Sequence, residues 1–260
     1  MLNESEIRNG LLTSVFGRKE IHVFDETDST NDRAYMLADS FSPEGTIVVA
    51  ESQITGKGRR GRKWVSIPGK SLSFSIILRP GISIAKAPGL TLLIAVALSD
   101  ALHSFGIHTH RIKWPNDILI NNKKISGILT EMKISSGKIL FIIAGTGINT
   151  GPVSADLPDE IRDTASSIYD ETGIVIDRIE LLQRLLYKME NRYNEFIQSG
   201  LENILTAWTE NSDIIGSTVS VNLNQHPVTG KVTGINSDGS LSIETDSGIV
   251  TLNSGEISIH

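Results

Sequence analysis

The chain has 260 residues, 39 % of them hydrophobic and 21 % charged, with a formal net charge of −6 and no cysteine. That length holds one large domain, or a main domain with a small second one. Disulfides, thiolate catalysis and Cys-ligated metals are excluded, and so acidic a chain is not a nucleic-acid binder by bulk electrostatics.

No apolar run approaches the roughly 20 residues that span a bilayer, and residues 1–10 lack the apolar segment of a signal peptide. With the absence of cysteine, this predicts a cytoplasmic protein with no membrane partner. Charge distribution is more telling than the sum. Of 24 Lys and Arg, five fall within residues 57–63, with no acid among them. A cationic spot on an acidic protein implies a local anionic ligand.

Residues 21–26 and 46–51, rich in β-branched side chains, read as strands. Between them residues 29–37 read as a helix, with Ser29 or Thr30 as N-cap and Asp32 in the first turn. Residues 71–79 alternate polar and apolar before Ile76-Ile77-Leu78, which predicts a strand with one buried face. Residues 88–105 are apolar around most of a helical circumference and predict a buried helix. Strand-like segments follow at 109–114, 118–120 and 125–131, the last two joined by the turn-forming tetrad 121–124. A further strand, 139–144, closes on Gly145-Thr146-Gly147-Ile148-Asn149. Asp177 and Glu180 form a capping-box-like start to a helix reaching about Ile197, and a shorter helix covers 201–208. Past residue 211 the texture changes to short β-like runs over 217–259, punctuated by Gly, Asn and Asp. The expected organisation is α+β with a mostly antiparallel sheet over 1–211 and a small β domain over 212–260.

Residues 56–61 (GKGRRG) match G-x-G-x-x-G, but the context rejects a dinucleotide fingerprint. That motif opens a helix and is followed by an acid about 20 residues on, whereas residues 62–69 contain Pro68-Gly69 and residues 71–79 carry no acid. No HRD or DFG accompanies the loop as in a kinase. Glycines at close spacing let a backbone approach a ligand, and interleaved cations repel until an anion neutralises them. The segment therefore reads either as a ligand clamp, disordered without its anion and closing over it, or as a solvated basic patch.

Residues 113–117 (KWPND) sit where a strand meets a turn. Pro115 pushes Trp114 into an extended conformation. Asn116 offers paired donor and acceptor groups suited to an adenine edge or a phosphate, and Asp117 could hold Mg²⁺. A purely structural Pro-Asn-Asp turn is the other reading. The six histidines (22, 103, 108, 110, 226, 260) form no metal or triad spacing, and His108 with His110 reads as a surface strand pair.

Taken together, residues 26–31 (ETDSTN), Gln53 with 56–64 (GKGRRGRKW), 113–120 (KWPNDILI), 124–129 (KISGIL) and 145–149 (GTGIN) closely resemble the biotin protein ligase family, in the family's order, from about residue 21 to the C-terminus. The resemblance implies a biotin-ligase and class II aminoacyl-tRNA-synthetase-like catalytic domain, with a seven-stranded mixed sheet and a small SH3-like β-barrel C-terminal domain. It implies that biotin and ATP, with Mg²⁺, give biotinyl-5′-AMP, and that the biotin then passes to a lysine of a biotin carboxyl-carrier domain. By position, Ser29, Thr30, Asn31, Gln53, Gly56, Lys57 and Gly127 would belong to the biotin site. Arg59, Arg60 and Arg62 would close over the phosphate, and Lys124 would sit beside the biotin carboxylate and the α-phosphate. Asn116 and Asn149 would contact nucleotide or metal, and Trp64 would help form the adenine site. Asp117 would influence deprotonation of the incoming lysine.

One departure is Lys57, where many family members carry Arg, which keeps the charge but loses the bidentate fork. A second is that about 20 residues precede the catalytic strand, too few for the DNA-binding domain some members carry, which predicts a ligase without repressor function. The family also implies a homodimer by sheet-edge pairing. A lipoate protein ligase or octanoyltransferase shares the fold and is the alternative from the same class. A nucleic-acid binder using the basic loop is the alternative from another.

Overall fold

The chain begins with a short helix, α1 (Glu4–Asn9), capped by the Asn3 side chain, which accepts from the backbone N–H of Ser5 and Glu6. Sequence reasoning did not find it, because six residues carry too little periodicity. The computed structural model describes residues 1–223, 226–253, 255 and 257–259. Glu256, where the last expected β-like run begins, and His260 lie outside the described residues.

The strands β1 (Ile21–Thr27) and β2 (Ile47–Gln53) run parallel, joined by the helix α2 (Thr30–Asp39). All other pairings in the main sheet are antiparallel. They bring in β3 (Ser71–Leu78), then, after helix α3 (Gly89–His103), β4 (His110–Lys113), β5 (Asp117–Ile120), β6 (Lys123–Ser135) and β7 (Lys138–Asn149). The order is β1-β2-β3-β7-β6-β5-β4, a seven-stranded mixed sheet. Short helices α4 (Asp159–Arg162) and α5 (Ile168–Thr172) lead into α6 (Arg178–Ser199) and α7 (Glu202–Glu210). The expected N-cap of α6 is present, since the Asp177 carboxylate accepts from Ile179 and Glu180 N–H, while the Glu180 carboxylate, the other half of the expected capping box, pairs with Arg184.

Helices α3 and α6 cover one face of the sheet in the main core, through residues such as Leu93, Leu98, Leu181 and Leu185. Each such side chain stabilises the fold by roughly 1.5–3 kcal/mol. On the other face, Ala34 and Ala38 of α2 pack on Val48, Ile77, Phe141 and Ile143. The central strand β3 is thus buried on both faces along its whole length, where its alternation predicted one. The reason is that serines occupy the second face, and small hydroxyls can be buried when partnered.

Three other expectations are corrected. The tetrad 121–124 is a two-residue turn, Asn121 and Asn122, both at positive φ as a tight hairpin requires, and Lys123 and Lys124 already belong to β6. Gly145 to Asn149 continue β7 rather than ending it. Residues Ile84–His103 are, by length and composition alone, long and apolar enough to cross a membrane, contrary to the reading above. In the fold they include the central helix α3, of whose residues Leu90, Leu92–Ser99, Ala101 and Leu102 are buried.

His110 is buried too, not on a surface strand pair. Its Nδ1 lies 3.1 Å from the Ile107 carbonyl, which only accepts, so Nε2 takes the Ser99 hydroxyl proton at 2.7 Å. Burial, with His103 nearby, lowers its pKa to about 4, so at neutral pH the ring is uncharged and this assignment of donor and acceptor holds.

The C-terminal residues form a second, antiparallel sheet of β8 (Thr218–Leu223), β9 (His226–Ile235), β10 (Leu241–Thr245), β11 (Gly248–Leu252) and β12 (Ile257–Ile259), in the order β11-β10-β9-β8-β12. Its apolar residues Val219, Val232 and Leu241 join the main core. The Trp114 indole N–H donates to the Gly239 carbonyl at 3.0 Å, which docks this sheet against the KWPND strand end.

Candidate active site

The middle of the α2-side sheet face is paved with small residues. Register places Ser73 beside Gly147, Ser75 beside Gly145, Ser71 beside Asn149, and Gly127 beside Gly147. Period-2 alternation puts all of these on one face. The space they leave is taken by two larger groups. A Cβ at Gly147 would lie 2.2 Å from Cε2 of Trp64, and one at Gly145 would lie 2.0 Å from Oδ1 of Asn31. Glycine is the only residue that fits at either place.

Trp64 ends the glycine and arginine loop, which is folded back as a tight hairpin. Trp64 N–H donates to the Gly56 carbonyl at 2.8 Å, and Gly58 N–H to the Arg62 carbonyl at 2.7 Å. Lys57 and Lys63 face each other across this ladder. A Cβ at Gly56 would lie 2.4 Å from the Trp64 carbonyl oxygen, so the closure requires glycine there. At the tip Arg60 adopts φ 56° and Gly61 φ 75°. The left-handed conformation costs a non-glycine residue on the order of 1 kcal/mol. Lys57 reaches the Asp32 carboxylate in the first turn of α2, which raises its pKa. It makes this contact as a point charge, with no bidentate geometry.

The loop meets the KWPND strand end through Arg59, whose Nη1 donates to Asn116 Oδ1 at 2.9 Å. Asn116 in turn donates from Nδ2 to the Ile128 carbonyl at 2.9 Å, so its amide is fixed at both ends. Lys124 Nζ lies 2.8 Å from Asp117 Oδ1 and 5.8 Å from the Trp64 ring centroid. The segment after β7 is tied alongside, with Lys124 N–H donating to the Thr164 carbonyl and Ser166 N–H to that of Lys124.

Three cavities, of about 50, 210 and 250 Å³, are each lined by Arg59. The inner and smallest brings together Ser29, Thr30, Asn31, Gln53, Lys57 and Gly127, with Trp64 against its floor. The outer cleft holds Arg59, Arg60, Arg62, Lys63, Lys113 and Lys124, and Asp117 is its one acid among the described residues. Opposed to so many cations, an anionic ligand there is favoured by Coulomb attraction and charge-assisted hydrogen bonds. The third cavity runs past Pro115 and Thr91 to Gly239 in the turn between β9 and β10.

Most residues singled out in the sequence therefore converge. Trp64 borders both the inner cavity and the outer cleft, sitting on the glycine floor beside the groups expected for biotin. Asn149 does not line any of the three cavities. Its Oδ1 accepts from Ser71 and its Nδ2 donates to the Ser166 carbonyl. Gly56 shapes the hairpin and lines none of them either. Sequence reasoning missed Lys113 as part of the cleft, and it missed Ser66, Ser75 and Glu131, which hydrogen-bond to the inner residues, and Ser73, which bonds to Ser66 behind them. The polar alternation of β3 was the signal available for the serines.

Comparison with known proteins agrees with this geometry. Residues 23–149 match the Biotin/lipoate A/B protein ligase family, and residues 214–259 match the Biotin protein ligase C terminal domain. The bifunctional ligase/repressor BirA of Bacillus subtilis (strain 168) is 41 % identical over 259 residues, which are 99 % of this chain and 79 % of that protein. The biotin–[acetyl-CoA-carboxylase] ligase of Paracoccus denitrificans is 31 % identical over 89 % of this chain and 97 % of its own. Among solved structures, the biotin protein ligase from Aquifex aeolicus in complex with biotin and ATP superposes with a TM-score of 0.79 at 32 % identity, covering 93 % of this chain and 99 % of that one. The chain belongs to the biotin protein ligase family.

Proposed function

We propose that this chain is a biotin–[biotin carboxyl-carrier protein] ligase. Biotin and ATP are its substrates, and a lysine on a carboxyl-carrier domain is the acceptor. In the first step a biotin carboxylate oxygen attacks the α-phosphorus of ATP, the bond from that phosphorus to the bridging oxygen breaks, and pyrophosphate leaves. In the second, the neutral lysine amine attacks the activated carbonyl carbon, the carbon–oxygen bond to phosphate breaks, and AMP departs. The observation that carries this reading is the cationic cleft joined to a small, polar inner cavity at Arg59.

The first step brings two anions together. Lys124, placed between Trp64 and Asp117, offsets charge as it spreads over the phosphate oxygens, and Arg59, Arg60 and Arg62 take the phosphate from the loop side. Ser29, Thr30, Asn31 and Gln53 hold the ring end of biotin in the inner cavity, and the glycine floor of 127 and 147 lets Trp64 lie flat beside it. Trp64 forms the wall between ring and nucleotide. Mg²⁺ bound with the ATP phosphates would neutralise the leaving group. Among the described residues no cluster of three or more acidic or histidine side chains exists to hold a resident ion, and Asp117 with phosphate oxygens and waters suits the way Mg²⁺ is usually held. Asp117 is assigned as the base that accepts the proton of the incoming lysine, whose ordinary pKa is about 10.4.

Residues 1–211 form the catalytic part and 212–260 the C-terminal part, a division supported by the separate match that starts at residue 214. A homodimer is supported by exposed apolar side chains on the long β6–β7 hairpin, Met132, Ile134 and Leu140, and sedimentation at micromolar concentration tests it. A cytoplasmic location is supported by the absence of cysteine. The direct test of function is incubation with biotin, ATP, Mg²⁺ and a recombinant carrier domain. A mass gain of one biotinyl group on the carrier lysine is expected. Lipoyl or octanoyl transfer in its place would move the chain to the sister activity.

A further inference from the structure

The site face of β3 presents Ser71, Ser73 and Ser75, all buried, and each is hydrogen-bonded to a different group above it. Ser75 Oγ lies 2.7 Å from Asn31 Oδ1 and 2.8 Å from Thr30 Oγ1. An amide oxygen has no proton to give, so the one Ser75 proton goes to Asn31. Asn31 passes the chain on from Nδ2 to Glu131 Oε2 at 2.6 Å. Ser73 Oγ lies 3.0 Å from Ser66 Oγ, and Ser66 accepts from Gln53 Nε2 at 3.0 Å. Since Ser66 accepts, its own proton is free for Ser73. Gln53 Oε1 accepts from Thr30 N–H at 2.8 Å, so the amide is held the one way round that satisfies both ends. Ser71 Oγ accepts from Ile67 N–H at 3.1 Å and donates to Asn149 Oδ1 at 3.1 Å.

We propose that Ser71, Ser73 with Ser66, and Ser75 are a ladder of positioning residues that sets the two substrate sites separately. The rungs at 73 and 75 orient Gln53, Thr30 and Asn31 for the ring end of biotin. The rung at 71 orients Asn149 and, through its bond to the Ser166 carbonyl, the segment beside Lys124 on the nucleotide side. The inference rests on the assignment of the inner cavity to biotin and the outer cleft to nucleotide. Its physical basis is that an unlocked Gln or Asn amide rotates or flips, which replaces a donor by an acceptor at the ligand. A lost hydrogen bond of this kind is worth a factor of several in binding.

The test is steady-state kinetics with each substrate varied in turn, on Ser66→Ala, Ser75→Ala and Ser71→Ala. KM for biotin should rise roughly five- to tenfold in the first two, with KM for ATP within twofold of wild type. Ser71→Ala should show the reverse. Ser66 lies on a partly exposed loop and its replacement leaves the core intact, so it keeps the test open if a β3 variant does not fold. Ser66→Thr, which retains the hydroxyl, should restore the KM for biotin. Equal changes in both KM values, or loss of kcat and thermal stability alone, would overturn the ladder and leave a structural role. Calorimetric titration of wild type with biotin separates the two levels of failure. Without biotin binding by the wild type the assignment of the cavity falls, and the ladder with it.

Discussion

The Arg59 guanidinium donates to the Asn116 side chain at 2.9 Å, which joins the two most specific motifs of the sequence across 57 positions. One is a loop and the other a strand end, and all three cavities open beside Arg59. Opening the loop breaks this contact, so Arg59 holds the closed form as well as facing the ligand.

Arg59→Ala should therefore still form the adenylate but lose it faster. A hydrogen bond from a charged group contributes about 1.5–3 kcal/mol, which corresponds to roughly 10- to 100-fold faster release. Trapping of released adenylate, or biotin found on lysines of a bystander protein, checks it. Release no faster than wild type would remove the closure argument.

Lys124→Gln should cut the adenylation rate by about two to three orders of magnitude, the usual effect of deleting one group that stabilises developing charge. Biotin affinity should change far less, because the inner cavity is built mainly from uncharged groups. Pre-steady-state pyrophosphate release with titration calorimetry distinguishes the two effects.

Gly147→Ala puts a Cβ where Trp64 now lies. The indole must leave the glycine floor, and overpacking of this kind costs about 1–3 kcal/mol. Weaker biotin binding with a shifted tryptophan emission is the expected result. The same change at Gly137, where nothing lies within 4 Å of the added atom, should leave emission and biotin binding alone, though its positive φ of 73° will cost stability.

The recognition motifs were legible because loops that bind anions need glycine and cation at fixed offsets, and such spacing survives without any knowledge of the fold. The main helices and strands were legible from period. What stayed hidden depends on what lies across the sheet. Alternating serines on β3 read as a solvated face, and only the covering α2 and loop 56–70 turn them into a buried polar layer. His110 has no local signal of burial either, since Ser99 and Ile107, its two partners, come from another helix and a turn. Gly145 and Gly147 read as the end of a strand, because their purpose is to make room for Asn31 and Trp64 from distant segments.

Buried His110 gives the fold a pH dependence of defined sign. Its native pKa of about 4 lies below the unfolded value of about 6.5. Below pH 6.5 the unfolded chain takes up a proton that the native chain does not. The stability it contributes is thus complete above pH 6.5 and is lost as pH falls towards 4, by an amount on the order of 3 kcal/mol. Burial likewise lowers the His103 pKa, so it acts in the same direction. Urea unfolding at pH 7.5 and pH 5 should show a smaller loss for His110→Gln than for wild type. Equal losses would contradict the assignment.

Pyrophosphate release from ATP and Mg²⁺, measured with and without biotin and before any carrier is added, bears most directly on the chemistry assigned to the cleft at Arg59 and Lys124. Release should require biotin and should stop near one equivalent per site, because the closed loop retains the adenylate. Release that ignores biotin, or that appears only with lipoate or octanoate, would contradict it.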